Sequence, residues 1–452
     1  MAYFADTIAA LATPVGTSAL AIVRVSGPQV DQLVQAVFHT DPLPRQAARG
    51  DYCDRTGSLV DDVLYTVFRG PNSYTGEDVL EISCHGNPFI TRKILDDLLA
   101  RGCRLAEPGE FTKRSFLNGC MDLSQAEAVI DLIRARSDRA LAAANQQLRG
   151  ALGRHLQPMN RQLLELLARV EAYIDFPDED LPAEDRSRLL DGIQRLLADT
   201  KRLLATNHYG DILRDGVRTV ILGAPNSGKS SLLNRLLGRE RALVSSEPGT
   251  TRDYLEEAIT LGLHCIRLID TAGLNPAPTP LEQRGIEKTL ERADDADLIL
   301  LVLDATRPAP ALPDAISARL TTRNTLVVIN KTDLVPTGPY PPHPSGLGAL
   351  KISALTGNGC DELGAAISRF AETFRMDQGE DLIAINARHA HALRQAAESL
   401  DTALGYLTAA GQADELLASE LRNVLRCYGE ISGQIDNEKV LDELFSIFCI
   451  GK

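Results

Sequence analysis

The chain contains no tryptophan, few methionines and few aromatic residues, and it lacks long apolar runs. Aromatic residues make up 5% of its 452 residues. No apolar run approaches the ~20 residues that a membrane-spanning helix requires. The first residues, Met1 to Asp6, show neither the basic nor the apolar stretch of a secretory signal. The sequence therefore predicts a cytoplasmic protein with no membrane span.

The cysteines and the charge balance exclude further classes of protein. The eight cysteines form no Cys-x-x-Cys pair, which argues against a zinc ribbon or a thioredoxin-like redox site. Acidic residues outnumber basic ones by 61 to 47, and the formal net charge is −14. The chain thus lacks a global positive field for nucleic acid. We expect any RNA contact to use a local patch or a partner.

The remaining composition is that of a globular protein, with 44% hydrophobic and 24% charged residues. A length of 452 residues corresponds to about three domains. Strand-like runs at 19–25, 63–68 and 79–82 and a helix-like run at 91–100 indicate mixed structure near the start. We therefore predict an α+β domain over residues 1–120.

Helical periodicity dominates two stretches that flank an alternating strand–helix segment. We assign an α-helical domain to residues 121–213 and 378–452, and an α/β domain to residues 214–377. The alternation predicts a mostly parallel sheet with helices on both faces. The expected fold is therefore multidomain, with the α/β domain inserted into a split helical domain.

The strongest motif is GAPNSGKS at residues 223–230, which fits the phosphate-binding P-loop pattern in full. It follows a strand-like run at 217–222 and opens a helical run. Backbone N–H groups of such a loop close around phosphates, and the helix N-terminus adds positive partial charge. We expect Lys229 to contact the β- and γ-phosphates and Ser230 to bind Mg²⁺.

Three further motifs follow in the order typical of GTP-binding proteins of the translation-factor-related class. DTAG at 270–273 offers a carboxylate that holds Mg²⁺ through water and a glycine N–H for the γ-phosphate. NKTD at 330–333 ends in Asp333, which can accept from the N1–H and 2-amino group of guanine. Ser353-Ala354 would place a backbone N–H at the guanine O6. The order predicts an inserted P-loop G domain that binds GTP.

The predicted nucleotide contacts extend along all four motifs and the segment between the first two. They are Asn226, Ser227, Gly228, Lys229, Ser230, Ser231, Ser245, Thr250, Thr251, Asp270, Thr271, Ala272, Gly273, Asn330, Lys331, Asp333, Ser353 and Ala354. Within this set, Thr251 is the expected switch ligand of Mg²⁺, which releases the ion when the γ-phosphate leaves.

Catalysis of hydrolysis needs a substitute for the water-orienting glutamine of Ras-like proteins, because Leu274 stands after Gly273. Glu282 is our candidate for orienting water, and the other interpretation is a solvated glutamate at a helix start. A monovalent cation beside the phosphates would supply the positive charge that the transition state needs. Its predicted ligands are Asn226, Ser245, Glu247 and Thr250.

Five more motifs lie outside the G domain and are spread over the chain. They are NSYTGEDVLE at 72–81, EPGEFTKRSFLN at 107–118, DLSQAEA at 122–128, IDFPD at 174–178 and FCIGK at 448–452. Together they resemble signatures of the bacterial tRNA uridine-5-carboxymethylaminomethyl modification GTPases, the MnmE or TrmE family.

The resemblance implies a GTPase that acts in folate-dependent tRNA modification. Such proteins work with a FAD-containing partner, MnmG (GidA), and FAD belongs to the partner only. Together they add a carboxymethylaminomethyl or aminomethyl group at C5 of the wobble uridine, with the tRNA shared between them. The resemblance also implies a homodimer and stimulation by K⁺, in agreement with the cation and Glu282 assignments.

The N-terminal domain would bind a tetrahydrofolate derivative and dimerise. By position, the resemblance assigns Arg24, Glu81 and Lys452 to the folate site, although the first two also suit a surface pair of opposite charge on strands. At the fourth position the family commonly has lysine, where this chain has Cys120. The adjacent cations Lys113 and Arg114 are candidates to replace that lysine.

Two questions remain open at the level of sequence. Cys449 is either a nucleophile or covalent relay, with Lys452 lowering its pKa, or a small apolar residue. The alternative function is a regulatory RNA- or ribosome-associated GTPase without modification chemistry. That class would be expected to carry an RNA module such as a KH domain, whose basic GxxG context is absent here.

Overall fold

The computed structural model forms two compact units. It describes residues 5–175, 183–239, 256–270, 294–310, 312–337, 339–344, 346–374, 383–408, 414–433 and 438–452. The first unit comprises Met1–Ile130, Leu148–Ile193 and Glu398–Lys452, and the second comprises Asp131–Gln147 and Gln194–Ala397. Among the helices of the described ranges, none is long and apolar enough to cross a membrane.

The described residues form strands and helices in both units. The strands are β1 (Ile8–Leu11), β2 (Leu20–Ser26), β3 (Ala48–Cys53), β4 (Leu59–Phe68), β5 (Val79–His85), β6 (Arg104–Leu105), β7 (Val217–Gly223), β8 (Glu256–Leu261), β9 (His264–Asp270), β10 (Leu298–Asp304), β11 (Thr325–Asn330) and β12 (Ala349–Lys351). The helices are α1 (Val30–Phe38), α2 (Pro88–Ala100), α3 (Glu110–Leu117), α4 (Leu123–Arg134), α5 (Asp138–Leu148), α6 (Ala151–Asp175), α7 (Ala183–Leu204), α8 (Asn207–Asp215), α9 (Lys229–Arg239), α10 (Asp314–Ser317), α11 (Cys360–Glu372), α12 (Ala387–Thr408), α13 (Asp414–Ser432) and α14 (Glu438–Ser446).

The first unit contains a six-stranded sheet in the order β3-β4-β5-β2-β1-β6. Its neighbouring strands are antiparallel except for β1 and β6. Val23 and Val25 of β2 are buried in a core that α1 and α2 cover. Asn87 caps α2 by accepting a hydrogen bond from the Phe89 N–H, and Pro88 occupies its first turn. The predicted α+β character of this part is confirmed.

The helical periodicity predicted from the sequence corresponds to a buried apolar face in α6. In α6, Leu163, Leu166, Leu167 and Val170 are buried, and α6 packs against α13. The motif that begins at Asp122 is a capping box at the start of α4. The Asp122 carboxylate accepts from the Gln125 N–H at 2.8 Å, and the Gln125 side chain accepts from the Asp122 N–H at 2.9 Å. This reciprocal pair explains why the motif requires these residue types.

The second unit contains a six-stranded sheet in the order β12-β11-β10-β7-β9-β8. Neighbouring strands are parallel except for β8 and β9. Every residue of β10 is buried. Separate apolar cores lie on the two sides of the sheet, as expected for a parallel sheet that is covered on both faces. The predicted α/β architecture is confirmed, and the carboxyl ends of β7, β10 and β11 lie side by side.

A buried cluster of charged side chains joins α3 to the sheet of the first unit. The Arg114 side chain is 0% exposed and forms ion pairs with Asp6 (2.8 Å), Glu77 (3.2 Å) and Glu110 (2.9 Å). Glu77 also accepts a hydrogen bond from the Ser26 hydroxyl at 2.7 Å. Burial alone would raise the pKa of Glu110, but hydrogen bonds, chiefly from arginine, outweigh it and lower that pKa.

The ion pairs of Arg114 and Lys113 show which partners these two cations have in the protein. Arg114 is committed to three carboxylates. Lys113 pairs with Asp442 at 2.6 Å. Both of the cations that we considered as replacements for a lysine at position 120 therefore have partners within the protein.

Replacing Arg114 with alanine should destabilise the protein by about 3–5 kcal/mol, because it leaves buried carboxylates without their cation. Urea denaturation followed by circular dichroism would measure the change in free energy of unfolding. Arg49→Ala is the matched control, since Arg49 is 77% exposed where it pairs with Asp62; it should change stability by less than about 1 kcal/mol. Equal effects of the two substitutions would contradict the structural role of Arg114.

Candidate functional site

The phosphate-binding loop connects β7 to α9 in the second unit. The strand ends at Gly223 and the helix begins at Lys229. The buried Lys229 ammonium donates to the carbonyl oxygens of Gly223 and Ala224, both at 3.0 Å. The ammonium is therefore held against the backbone of the phosphate-binding loop, where it can contact a bound phosphate. Ser230 is exposed in the first turn of the helix. Its hydroxyl oxygen is suitable as a ligand, because Mg²⁺ binds oxygen atoms.

The side chain of Asn330 joins this loop to the predicted base-binding segment. Asn330 is 2% exposed at the end of β11. Its Nδ2 donates to the Ser227 carbonyl at 3.0 Å, and its Oδ1 accepts from the Ala354 N–H at 2.9 Å. Gly228 has a φ of +94°, and a Cβ there would lie 2.2 Å from Asn330 Nδ2. Only glycine permits this approach.

The predicted base-binding residues lie around Asn330. Asp333 is exposed in a 3₁₀ turn at Thr332–Leu334, so its carboxylate is accessible to a ligand. The Thr332 hydroxyl donates to the Ile352 carbonyl at 2.9 Å. This hydrogen bond connects the turn with the segment that immediately precedes Ser353. We predicted that a backbone N–H of Ser353-Ala354 faces the guanine O6; here the Ala354 N–H donates to Asn330 and the Ser353 N–H donates to the Asn358 carbonyl. The contact of either N–H with a base stays a prediction.

Several predicted residues of the nucleotide site lie outside the described residues. β9 ends at Asp270, as predicted. The rest of its motif, the switch segment and the candidate for orienting water fall in the ranges 240–255 and 271–293. The residues concerned are Ser245, Glu247, Thr250, Thr251, Thr271, Ala272, Gly273 and Glu282.

A second predicted site lies in the first unit, where Arg24 on β2 is directly opposite Glu81 on β5. The guanidinium Nη2 is 2.8 Å from Glu81 Oε1, and the two side chains are 16% and 26% exposed. Arg24 also donates to the Gly451 carbonyl at 3.4 Å. Gly451 has a φ of +93°, and a Cβ there would lie 2.3 Å from the Leu11 carbonyl oxygen. The structure thus brings Arg24, Glu81 and the segment before Lys452 together.

Two aromatic side chains complete the surroundings of Arg24. Its guanidinium carbon lies 5.4 Å from the ring centre of Tyr74 and 5.7 Å from that of Phe111. Both distances suit cation–π contacts. Sequence reasoning did not single out these rings, although both lie within the quoted signatures.

The two exposed cysteines lie at the borders of this region. A Cβ at Gly76 would be 2.9 Å from Cys120 Sγ, which places the thiol against the loop that carries Tyr74. The Cys449 carbonyl accepts from the Gly109 N–H at 3.4 Å and from the Lys452 N–H at 3.3 Å. The Cys449 thiol is exposed, which is compatible with either interpretation of that residue.

Replacing Asp333 with asparagine should shift the nucleotide preference from guanine to xanthine, because the amide donates where the carboxylate accepts. Competition against a fluorescent nucleotide would measure the affinities for GDP and XDP, and we expect their ratio to change by at least about tenfold. Asp314→Asn, at an exposed carboxylate in α10, is the control and should leave the ratio unchanged. An unaltered preference in Asp333→Asn would refute the assignment.

Comparison with known proteins covers both units. Residues 7–120 match the family model described as GTP-binding protein TrmE N-terminus, and residues 123–449 match the MnmE helical domain. The tRNA modification GTPase MnmE of Opitutus terrae is 57% identical over 449 residues. The proteins of the same name from Symbiobacterium thermophilum and Akkermansia muciniphila are 43% and 44% identical over 463 and 451 residues.

In each of these three relatives, the alignment covers 99% of this chain and 99% of the relative. The matched domains agree with the multidomain architecture predicted from the sequence. The similarity extends well beyond the P-loop motifs, since it includes the signatures of the first unit. The chain belongs to the MnmE family of tRNA modification GTPases.

Proposed function

We propose that this protein hydrolyses GTP as a component of the complex that modifies C5 of the wobble uridine in tRNA. The observation that carries the GTPase part is the buried Asn330 amide, which holds the phosphate loop and the base-binding segment in one site. Family membership supports the tRNA part, because the relatives are named tRNA modification GTPases.

In the proposed hydrolysis, Asp333 selects guanine and Lys229 binds the β- and γ-phosphates. Mg²⁺, held by Ser230 and Thr251 with Asp270 acting through water, would neutralise charge on the phosphates. Glu282 orients a water molecule toward the γ-phosphorus. The water oxygen bonds to phosphorus as the bond to the β-phosphate oxygen breaks, and GDP and phosphate are released.

A monovalent cation, K⁺ in our proposal, would supply further positive charge beside the phosphates. The Asn226 side chain is exposed in the phosphate loop, so its amide oxygen is available as a ligand. The other proposed ligands are Ser245, Glu247 and Thr250. The same ion would permit the G domains of a homodimer to close face to face.

The first unit is proposed to hold the tetrahydrofolate derivative that provides the one-carbon unit. The contacts from Arg24 use Oε1 of the partly exposed Glu81. A pterin ring would present a ring N–H and a 2-amino group to that carboxylate, as guanine does to Asp333. Arg24 and Lys452 would add positive charge. The neutral Cys120 lies beside this site where the family commonly has a cation.

We infer a folate-binding and dimerisation domain at 1–120, a helical domain at 121–213 and 378–452, and a G domain at 214–377. The partner is the FAD protein MnmG, which contributes the flavin and shares the tRNA. The proposed location is the cytoplasm.

Mass spectrometry of tRNA nucleosides tests the proposed function. Cells that lack the gene should lose the C5-aminomethyl wobble uridines. The wild-type chain should restore them and Lys229→Ala should not, because the P-loop ammonium is needed for nucleotide binding. Lys201→Ala, at an exposed lysine of α7, is the matched control and should restore them. An unchanged nucleoside profile in the deletion strain would favour the regulatory GTPase.

Exchanging K⁺ for Na⁺ at constant ionic strength should lower GTP turnover by at least about tenfold. Both ions carry one positive charge, but a site with the dimensions of K⁺ would not hold the smaller Na⁺ beside the phosphates. Phosphate release measures the rate. Asn226→Ala should be slow in both salts, whereas Asn145→Ala, at a half-buried amide of α5 that donates to the Leu141 carbonyl, should keep the difference. Equal wild-type rates in the two salts would eliminate the cation role.

A further inference from the structure

The carboxylate of Asp304 begins a chain of contacts that ends at the phosphate-binding loop. Asp304 is the last residue of β10 and pairs across the sheet with Asn330. Its side chain is only 6% exposed. One carboxylate oxygen, Oδ1, accepts from the Thr306 N–H at 2.9 Å and from the Thr306 hydroxyl at 2.7 Å. The side chain is therefore held in one orientation.

The other carboxylate oxygen pairs with the lysine of the guanine-binding motif. Lys331 Nζ lies 2.7 Å from Asp304 Oδ2 and donates to the Asn226 carbonyl at 2.6 Å. Lys331 and Asn226 have φ values of 63° and 62°, in a region that non-glycine residues seldom occupy. A single ammonium thus connects two backbone positions that are both held in an unfavourable conformation.

The Asp304 carboxylate keeps its negative charge at neutral pH, because its pKa is lowered. Burial by itself would raise the pKa of Asp304, but the hydrogen bonds from Lys331 and Thr306 outweigh burial and lower it. The carboxylate is therefore ionised under ordinary conditions. A buried carboxylate and an ammonium at 2.7 Å form a charge-assisted hydrogen bond, which is stronger and more directional than a neutral one.

We propose that Asp304 is a positioning residue for nucleotide binding that acts through Lys331. It fixes the ammonium between the base-binding motif and the phosphate loop, and so prepares Asn226 and the turn with Asp333 before the nucleotide arrives. Preorganisation of this kind strengthens binding without contributing to bond breaking. The inference rests on the GTPase function proposed above. The alternative is that Asp304 only stabilises the turn that it forms with Thr306.

Asp304→Asn tests the proposal, because its amide oxygen can still accept from Thr306 while the negative charge is lost. We expect a tenfold weaker affinity for fluorescent GDP, equivalent to about 1.4 kcal/mol. The KM for GTP should rise by a similar factor, and kcat should change by less than about twofold. Asp294→Asn is the matched control, since Asp294 is an exposed carboxylate of the same unit that pairs with Arg319.

A double-mutant cycle with Lys331→Met distinguishes positioning through Lys331 from stabilisation of the turn with Thr306. If Asp304 acts through Lys331, the double variant should bind GDP no more weakly than Lys331→Met alone. Additive losses would show that Asp304 acts independently of the lysine, as a turn-stabilising role requires, and would overturn the proposal. Unchanged GDP affinity in Asp304→Asn would overturn it as well.

Asp304→Glu is the second variant, since it keeps a carboxylate for Lys331. It should weaken GDP binding less than Asp304→Asn, and an equal or larger loss would contradict a role of the charge. If Asp304→Asn fails to fold, the cycle is run with Asp304→Glu, where additive losses again overturn the inference. If the wild-type protein binds no guanine nucleotide, both the proposed function and this inference are overturned. If the wild-type protein binds GDP and the Asp304 variants bind it equally well, only the inference is overturned.

Discussion

The nucleotide site depends on one buried side chain, the amide of Asn330, which satisfies a carbonyl of the phosphate loop and an N–H of the base-binding segment at once. These two segments lie far apart in the chain. A parallel sheet brings the carboxyl ends of its strands to one edge, but it does not determine the spacing of the loops that follow. Asn330 determines that spacing, and the absence of a side chain at Gly228 is the condition for its approach. The ion pair of Lys331 and Asp304 then adds a second connection beside the first.

In the first unit, buried ion pairs likewise connect segments that lie apart in the chain. Arg114 is fully buried and links α3 to a strand-connecting loop through Glu77 and to the start of the chain through Asp6. Neighbouring residues of that loop and helix supply the two rings around Arg24. The signatures at 72–81 and 107–118 thus contain polar residues that form buried tertiary contacts. A buried ion pair is weak evidence of net stability, but removing one partner is costly because it leaves an uncompensated buried charge.

The sequence predicted those parts of the fold that leave a local pattern. β10 and β11 contain continuous apolar runs, β7 contains a shorter one at 220–222, and motifs follow directly after β7 and β11. β3 contains charged residues and glycine within ARGDYC, so its strand character depends on pairing with β4 and leaves little local signal. In the candidate sites, the motif order predicted Asn330 and Lys331 as nucleotide contacts. Their contacts with Ser227 and Asp304 depend on strand register, which no local pattern encodes. Asp304 did leave one signal, since it ends its strand as Asp270 and Asn330 end theirs.

The hydrogen bond from Arg24 to Gly451 joins positions 427 residues apart. The first unit is assembled from Met1–Ile130, Leu148–Ile193 and Glu398–Lys452, so its contacts cannot all form until the last of these segments has been synthesised. Residues 194–397 of the second unit leave the ribosome before that segment does. The strands of both sheets are synthesised before that segment, so both sheets can pair early, whereas the contact of Arg24 with Gly451 forms last. Until residue 451 has left the ribosome, the Arg24 guanidinium therefore lacks the backbone acceptor that it has in the folded unit.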